Sequence, residues 1–259
     1  MRKLINCIIC AATLATATVS CKKESGPKMN EDLPPATNAI TVVSGSGDIT
    51  AKVNAFLAAI PGPDNGGIPF LQPTGKRNIN FDGVPDNFSD NNPFPGDFFN
   101  VNSKRGLVLS SFNGFRVSSK NFSDINPAFG IQYNPFSPVR TIAVMGGSVF
   151  ATALFKVPGT DTAAFVRAFG VVLCDVDDSS KTFVEFFEGN NIVGKFNVPA
   201  RNNAPGDKGL SFLGVQFSNK KITSVKIQAG NATINTKQES GDADLVAMDN
   251  FIYSEPVKQ

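Results

Sequence analysis

Five aspartates in this sequence could, by their type and position, bind a cation. Three of them follow a β-prone run, and two lie near the first and the last predicted strands. In chain order they are Asp82, Asp175, Asp177, Asp178 and Asp249. Calcium binds oxygen ligands and tolerates irregular loops, so aspartates at strand ends suit it. The sequence therefore predicts structural calcium as a candidate cofactor and points to no other.

The acidic turn 175–180 reads Asp-Val-Asp-Asp-Ser-Ser and follows the apolar run 171–174. Its aspartates, Asp175, Asp177 and Asp178, could supply three carboxylates to one ion at the strand end. A solvated turn without an ion explains the same composition, because Asp and Ser are typical of the turns that end strands. Both interpretations stay open on the sequence alone.

Asp249 lies in a run that is apolar on both sides. Strict alternation puts Leu245, Ala247, Phe251 and Tyr253 on its own face, and Val246, Met248 and Ile252 on the opposite face. A carboxylate in such a strand loses its water and needs a cation or several hydrogen-bond donors. The positions of Asp82 and Asp249 resemble those of two acids that share a structural calcium in galactose-binding-like sandwiches. We therefore expect a shared calcium here, with a hydrogen-bonded strand acid as the alternative.

Composition excludes several classes of catalysis. The chain contains no His, so it has neither a Ser-His-Asp triad nor a His-bound metal. Glycoside hydrolysis needs two carboxylates about 5 to 10 Å apart. The candidate acids for that reaction are Asp175, Asp177, Glu185 and Glu188. They lack the Glu-x-Asp-x-x-Glu spacing of sandwich-fold glucanases, and the chain has no Trp and two Tyr with which to line a sugar cleft. We therefore expect no enzyme, with a carboxylate-dependent glycoside hydrolase as the less favoured alternative.

The N-terminus has the pattern of an export signal. Residues 1–3 are charged, residues 4–20 are mostly apolar or small, and Cys21 follows. This pattern resembles a bacterial lipoprotein signal, in which cleavage leaves the cysteine as the lipidated first residue. Thr18 stands where Leu is usual, as in the looser signals of Bacteroidetes-type bacteria. The resemblance implies a signal peptide over 1–20 and a lipid on Cys21, and an ordinary secretory peptide is the alternative.

The lipid anchor predicts where the protein is located. We expect it in the cell envelope, attached to a membrane by its N-terminal lipid. The outer membrane is favoured, on its periplasmic face or at the cell surface. The formal charge of +2 comes from Arg2 and Lys3, because the rest of the chain carries 22 basic and 22 acidic residues. Such a balanced chain has no electrostatic footprint for nucleic acid, so no nucleic-acid partner is expected.

The elements that must position the aspartates begin after a linker. Residues 21–45 carry Pro, Gly and scattered charge but few large apolar side chains, so they are predicted to form a flexible tether. A short amphipathic helix is predicted next, starting near Asp48 and ending before Pro61. The range 46–259 is predicted to be one domain with its core over 75–256.

Short β-prone segments separated by Gly, Pro and Asn fill this domain. The run 169–200 is predicted to be a meander of three strands, joined by the acidic turn and by a Glu-Gly-Asn-Asn turn. Residues 106–118 and 210–228 are each predicted to form a hairpin. About ten strands with loop-rich connections indicate an all-β, antiparallel two-sheet sandwich. We expect it to be jelly-roll-like, with one short N-terminal helix.

Six segments carry a resemblance to a known family. They are GKRNINFDGVPDNF, PGDFFNVNSKRG, FGVVLCDVDD, EFFEGNN, GLSFLGVQF and VAMDNFIYSEP. Together, over about 75–256, they are similar to an uncharacterised family of secreted bacterial β-sandwich proteins. The resemblance implies one sandwich domain and supplies no activity. The last segment has Asn250 where the family usually has Asp, which removes one charge from any metal site there.

The sequence thus predicts an envelope lipoprotein that acts as a non-catalytic binding module for a glycan or an envelope protein. Its acid- and Asn-rich loops favour this function. The alternative is a passive structural or adhesive component of the envelope, which the absence of Trp favours.

Overall fold

Alternating apolar and polar side chains, interrupted every few residues by Gly, Pro or Asn, produce short strands in this chain. The computed structural model describes residues 39–202, 209–235 and 240–259, within a compact unit that spans Ala36–Gln259. The strands are β1 (Ile40–Ser46), β2 (Lys76–Ile79), β3 (Leu107–Ser110), β4 (Phe115–Ser118), β5 (Thr141–Val144), β6 (Phe150–Phe155), β7 (Ala164–Phe165), β8 (Ala168–Cys174), β9 (Phe183–Glu188), β10 (Asn191–Asn197), β11 (Leu210–Phe217), β12 (Ser224–Gln228), β13 (Ala247–Ser254) and β14 (Val257–Lys258). The helices are α1 (Thr50–Ala59), α2 (Phe98–Val101) and α3 (Phe129–Gln132), with a 3-10 turn at Asp86–Phe88.

The strands form two main antiparallel sheets. The first sheet has the order β1-β11-β8-β13-β5-β4, with β2 also paired to β13, and the second has the order β10-β9-β12-β6-β3. A separate two-stranded pair joins β7 to β14. The predicted all-β, antiparallel two-sheet sandwich is therefore confirmed. The chain passes repeatedly from one sheet to the other.

The turn residues predicted where strands end but not which strands pair. The predicted meander over 169–200 is wrong at its first connection, because β8 lies in the first sheet and β9 and β10 lie in the second. Its second connection is confirmed, since the Glu-Gly-Asn-Asn turn joins β9 and β10 in an antiparallel hairpin. The predicted hairpins at 106–118 and 210–228 are wrong for the same reason, since β3 and β12 lie in the second sheet and β4 and β11 in the first. A Gly or Asn turn sets local φ and ψ only, whereas burial of each strand's apolar face selects its partners.

The space between the two sheets is filled mainly by Phe and aliphatic side chains. Phe251 on β13 contacts two other rings edge to face, with centroid distances of 5.4 Å to Phe81 and 5.8 Å to Phe169. Such pairs add about 0.5–1.5 kcal/mol each beyond the burial of their apolar area. The high Phe content of the chain thus serves the packing between the sheets.

A second apolar layer covers the outer face of the first sheet. Helix α1 packs there through Phe56, whose ring lies over Gly170 on β8 and Gly214 on β11, two residues that pair in register. A Cβ on Gly170 would lie 2.7 Å from the Phe56 ring, and one on Gly214 would lie 2.6 Å from it, so both positions require glycine. The predicted helix is present as α1, and Asp48 accepts a hydrogen bond from the Thr50 N–H at 3.0 Å.

The structure moves the end of the predicted tether. Residues 40–45, which were assigned to the tether, belong to β1, and β1 pairs antiparallel with β11. The β-branched run Ile-Thr-Val-Val at 40–43 was the sequence signal for this strand. The signal peptide 1–20, Cys21 and the tether up to residue 38 lie outside the described residues.

Candidate functional site

A β-bulge in β13 divides the residues that strict alternation placed on one face with Asp249. The pairing of β13 with β8 shifts register between Met248 and Phe251, which marks a β-bulge. A bulge adds one residue to one strand and reverses the alternation of side chains beyond it. Phe251 therefore points into the core between the sheets, whereas Ala247 and Ile252 lie in the outer layer. The predicted sharing of one face by Asp249, Phe251 and Tyr253 is wrong, because strict alternation fails at the bulge.

The carboxylate of Asp249 is fully buried against the loop that precedes β5. Its Oδ2 accepts hydrogen bonds from the backbone N–H groups of Phe136 at 2.7 Å and Ser137 at 2.9 Å. Its Oδ1 is buried and has no hydrogen-bond partner among the described residues. Burial raises the pKa of Asp249 to about 8, since the two N–H groups offset only part of the desolvation and the Asp82 carboxylate raises the pKa further.

Asp82 contacts the same loop, at Ser137. Its Oδ2 accepts the Ser137 hydroxyl at 2.8 Å and the Asn80 amide at 2.7 Å, and its Oδ1 accepts the Arg140 N–H at 2.9 Å. Ser137 thus donates to both acids, through its hydroxyl to Asp82 and through its N–H to Asp249. The two aspartates that the sequence placed on the first and last strands of the core therefore lie close together.

The fit of this pair to calcium depends on oxygen atoms that are free to bind. Both oxygens of Asp82 accept hydrogen bonds, which leaves Oδ1 of Asp249 as the unpartnered carboxylate oxygen of the pair within the described residues. Calcium takes six to eight oxygen ligands. The described part of the chain holds no group of three or more acidic, His or Cys side chains that could bind a metal. Carbonyl, hydroxyl or water oxygens would have to complete the shell, and the shared calcium stays a prediction.

The three acids of the acidic turn have cationic partners. Asp175 is fully buried and forms an ion pair with Arg201, whose Nε also lies 2.5 Å from Asp177. Asp178 lies 3.3 Å from the ammonium group of Lys181. Burial raises the pKa of Asp175 to about 6, although a hydrogen bond to its side chain and the Arg201 charge lower it. These contacts match a turn stabilised by ion pairs, and calcium at this turn stays a prediction.

Asp244 is a buried acid that was not predicted to matter, and it supports the same turn. Its carboxylate accepts the backbone N–H groups of Asp177 at 3.2 Å and Asp178 at 3.3 Å. Burial raises its pKa, and the same two N–H groups lower it. Asp244 lies more than sixty positions along the chain from the turn, so no local sequence pattern indicates this contact.

The outer face of the second sheet carries half-buried and exposed side chains in three rows. Across β10, β9, β12 and β6, the middle row reads Lys195, Glu185, Lys226 and Thr152. The flanking rows are Phe187, Ser224 and Leu154 on one side and Phe183, Gln228 and Phe150 on the other. We call these ten side chains the open face. Glu185 was predicted only as a candidate acid for glycoside hydrolysis, and the other nine side chains had no predicted role. Alternation in the segment 183–188 nevertheless separates Phe183, Glu185 and Phe187 from the buried Val184 and Phe186.

A shallow pocket of about 290 Å³ lies at the open face. Its walls are formed by Thr152, Phe187, Gly189, Asn190, Ser224 and Lys226. The two lysines of the open face differ in their partners. Lys195 lies 3.2 Å from the carboxylate of Glu185, whereas Lys226 forms no ion pair with a described residue and its Nζ lies 3.9 Å from the centre of the Phe150 ring.

The fold and the site together define an antiparallel β-sandwich. The outer face of its first sheet is covered by an apolar layer, and the outer face of its second sheet is open. No protein-family model matches the chain, and no curated protein matches it. The family resemblance therefore depends on the six sequence segments and stays a prediction. Within the described ranges, no helix is long and apolar enough to cross a membrane. Lipidation of Cys21, outside those ranges, also stays a prediction.

Proposed function

We propose that the protein is a non-catalytic binding module of the cell envelope and that its open face binds a glycan. The pocket beside Phe187 carries this proposal, because an aromatic ring lies there next to amide, hydroxyl and ammonium groups. The ring offers an apolar platform to the C–H face of a sugar, and Asn190, Ser224 and Lys226 offer polar atoms that orient it.

The charge of the pocket favours a glycan with an acidic group. Glu185, the acid nearest in the middle row, is paired with Lys195. Lys226 has no carboxylate partner among the described residues, so its ammonium group is available to a ligand. Hydrogen bonds between an ammonium group and a carboxylate or sulfate are about twice as strong as neutral ones. An acidic glycan therefore fits this face better than a neutral one.

The acids that could catalyse glycoside hydrolysis support the non-catalytic proposal, because each has a cationic neighbour. The pairs are Asp175 and Asp177 with Arg201, Glu185 with Lys195, and Glu188 with Lys220. A catalytic acid must be placed to give its proton to a leaving group. A carboxylate that a cation keeps ionised is poorly suited to that task, and Asp175, whose pKa is raised, is fully buried and so not exposed to a substrate.

A glycan array probed with the full chain tests the proposal. We expect binding to acidic glycans, weakened about tenfold or more by Phe187→Ala and by Lys226→Gln, which remove the platform and the charge. Phe112→Ala is the matched control, since Phe112 is 88% exposed and lies outside the open face. No binding to any glycan, together with self-association in sedimentation, would instead favour a passive structural or adhesive component.

The envelope location rests on Cys21, and its test is independent of the glycan. The proposed lipid would attach the chain to a membrane, most naturally the outer membrane, on its periplasmic face or at the cell surface. Cys21→Ala is expected to release the protein from the membrane fraction without changing its melting temperature. A variant that still sediments with membranes after a salt wash would contradict the anchor.

We also propose structural calcium at Asp82 and Asp249, supported by their shared contact with Ser137. A ligand that binds only the folded state at a hundredfold excess over its dissociation constant adds about 2.7 kcal/mol to the free energy of unfolding. Calcium is therefore expected to raise the melting temperature by several degrees. Asp249→Asn should abolish this response and Asp177→Asn should keep it. A melting curve that neither calcium nor chelator moves would contradict the site.

A further inference from the structure

A cavity of about 610 Å³ lies at the end of the first sheet, between the segment before β2 and the C-terminal segment. Its apolar walls are formed by Ile60, Pro61, Leu71, Pro73, Pro256 and Val257. Two of these side chains are unusually accessible for their type, with Leu71 47% exposed and Val257 49% exposed. The volume lies within the range of small-molecule sites, about 300–1,000 Å³.

The cavity is preformed, because a buried ion pair supports its walls. Arg77 and Glu255 are fully or almost fully buried, and the guanidinium donates to both carboxylate oxygens at 2.7 and 2.6 Å. The same carboxylate accepts the Gln72 N–H at 3.0 Å and the Asn65 amide at 2.8 Å. Arg77 also donates to the Phe70 carbonyl at 2.7 Å. These bonds fix the segment before β2 against the C-terminal segment, so a ligand need not order the walls.

Two cations at the cavity form no ion pair with a carboxylate of the residues that the structure describes. Glu255 is the acidic residue of the lining, and Arg77 already compensates it. Arg167 lines the cavity and forms no ion pair with a described residue. Its guanidinium lies 5.5 Å from the centre of the Phe165 ring and donates to the Ser218 carbonyl at 3.3 Å. Lys258, also in the lining, is exposed and forms no ion pair within the described ranges.

We propose that this cavity binds a small single-chain amphiphile with one anionic head group, such as an alkyl carboxylate. The apolar walls would cover the chain, and burial of its surface would supply most of the affinity. The head group would lie at Arg167, whose planar fork of N–H donors matches a carboxylate. Lys258 would add a second positive charge. The proposal does not rest on glycan binding, because the cavity and the open face share no residue.

The absence of Trp from the chain gives a clean measurement. Val257→Trp places the chain's single tryptophan at the cavity, where it can be excited apart from the two tyrosines, and Ile192→Trp places it at the β9–β10 hairpin as a matched control. We expect monomeric dodecanoate to shift the emission of the Val257→Trp variant of the full chain and to saturate at one molecule per chain. The Ile192→Trp variant should not respond. Absence of a shift at Val257→Trp, or an equal shift at Ile192→Trp, would overturn the proposal.

The role of charge is tested in the Val257→Trp background. Arg167→Gln is expected to weaken dodecanoate binding about tenfold, and uncharged dodecanol should bind about tenfold more weakly than dodecanoate. Lys52→Gln, on the exposed side of α1, is the control and should leave affinity unchanged. Should Arg167→Gln not fold, Lys258→Gln takes its place, with a smaller loss expected. Equal affinities for dodecanoate and dodecanol would overturn the anionic head group.

A measurement with lipid vesicles distinguishes binding of a free amphiphile from binding to a membrane surface. Phosphatidylglycerol vesicles are expected to leave the emission of the Val257→Trp variant unchanged, because the cavity admits one chain and not a bilayer. A response to vesicles without a response to monomeric dodecanoate would overturn the proposal in favour of contact with a membrane surface.

Discussion

Asp249 connects β13 to the loop that covers the first sheet, because its carboxylate accepts the N–H groups of Phe136 and Ser137. Burial is the main cause of its raised pKa of about 8, against an ordinary value of 3.8. In the metal-free folded protein at neutral pH, this carboxyl is therefore mostly protonated. In the unfolded chain it is ionised above about pH 4. The folded state thus binds one more proton than the unfolded state between these two values.

This difference predicts how stability depends on pH in the presence of a chelator. Since the unfolded state binds fewer protons between about pH 4 and pH 8, the contribution of Asp249 to the free energy of unfolding falls as pH rises through this window. Asp249→Asn removes the dependence, and its amide oxygen can still accept both N–H groups. We expect the variant to match the wild type near pH 4 and to exceed it near pH 8 by at least about 1 kcal/mol, or about 2–4 °C in melting temperature.

The measurement is a series of melting curves from pH 4 to pH 8 for both proteins. Asp161→Asn makes the same change at an exposed position and supplies the control. A difference between Asp249→Asn and the wild type that does not vary with pH would mean that the Asp249 carboxylate is ionised in the folded protein. Other buried acids, such as Asp175, are common to all three chains and cancel in the comparison.

Among the elements, the contact between α1 and the first sheet depends on two glycines. Gly170 and Gly214 face each other across β8 and β11 and leave room for the Phe56 ring. Glycine within a strand ordinarily weakens it, because it has no side chain to pack. Here the missing side chains allow an aromatic ring to approach the backbone of the sheet. Phe56 thereby packs directly against the backbone of β8 and β11, beside the other buried side chains of α1 such as Val53.

Gly214→Ala tests this contact. Its Cβ would lie 2.6 Å from the Phe56 ring, so the ring and α1 must move. Overpacking of this kind costs about 1–3 kcal/mol, and chemical denaturation should show that loss. Gly83→Ala is the control, because no atom lies within 4 Å of a Cβ there. Phe56→Leu should lessen the effect of Gly214→Ala in a double-mutant cycle, and strictly additive losses would contradict the contact.

At the scale of the whole described molecule, two apolar layers pack on opposite faces of the first sheet. The outer layer and the core between the sheets both pack on strands of the first sheet. The chain also crosses repeatedly between the sheets, for example from β11 in the first to β12 in the second and back to β13 in the first. Separate unfolding of either layer would expose apolar side chains of the first sheet. The layers should therefore unfold together.

The two tyrosines allow this cooperativity to be measured. Tyr133 lies in the outer layer and Tyr253 lies in the core between the sheets, and they are the only tyrosines of the chain. Tyr133→Phe and Tyr253→Phe each leave one fluorophore, which reports on one layer. Within each variant, the midpoints from tyrosine fluorescence and from circular dichroism should coincide. An earlier midpoint for the Tyr133 signal would show that the outer layer unfolds first.

The sequence alone determined the class of fold and the helix. Period-two alternation and regularly placed Gly, Pro and Asn residues act over a few neighbouring positions, so they predict strands, turns and the antiparallel sandwich. The apolar stripe with Pro61 at its end predicted α1 in the same way. The proximity of Asp82 and Asp249 was also predicted, through the resemblance of their positions to two acids of galactose-binding-like sandwiches.

Tertiary structure decided which strands pair, which way Asp249 points, and where ligands can bind. The bulge in β13 depends on its partner β8, and the ion pair between Arg77 and Glu255 joins residues 178 positions apart. The open face and the cavity arise only when strands distant in sequence lie side by side. Local patterns report the conformation of a few residues. Partner choice, bulges and cavities follow from the burial of whole faces, which no short segment of the chain contains.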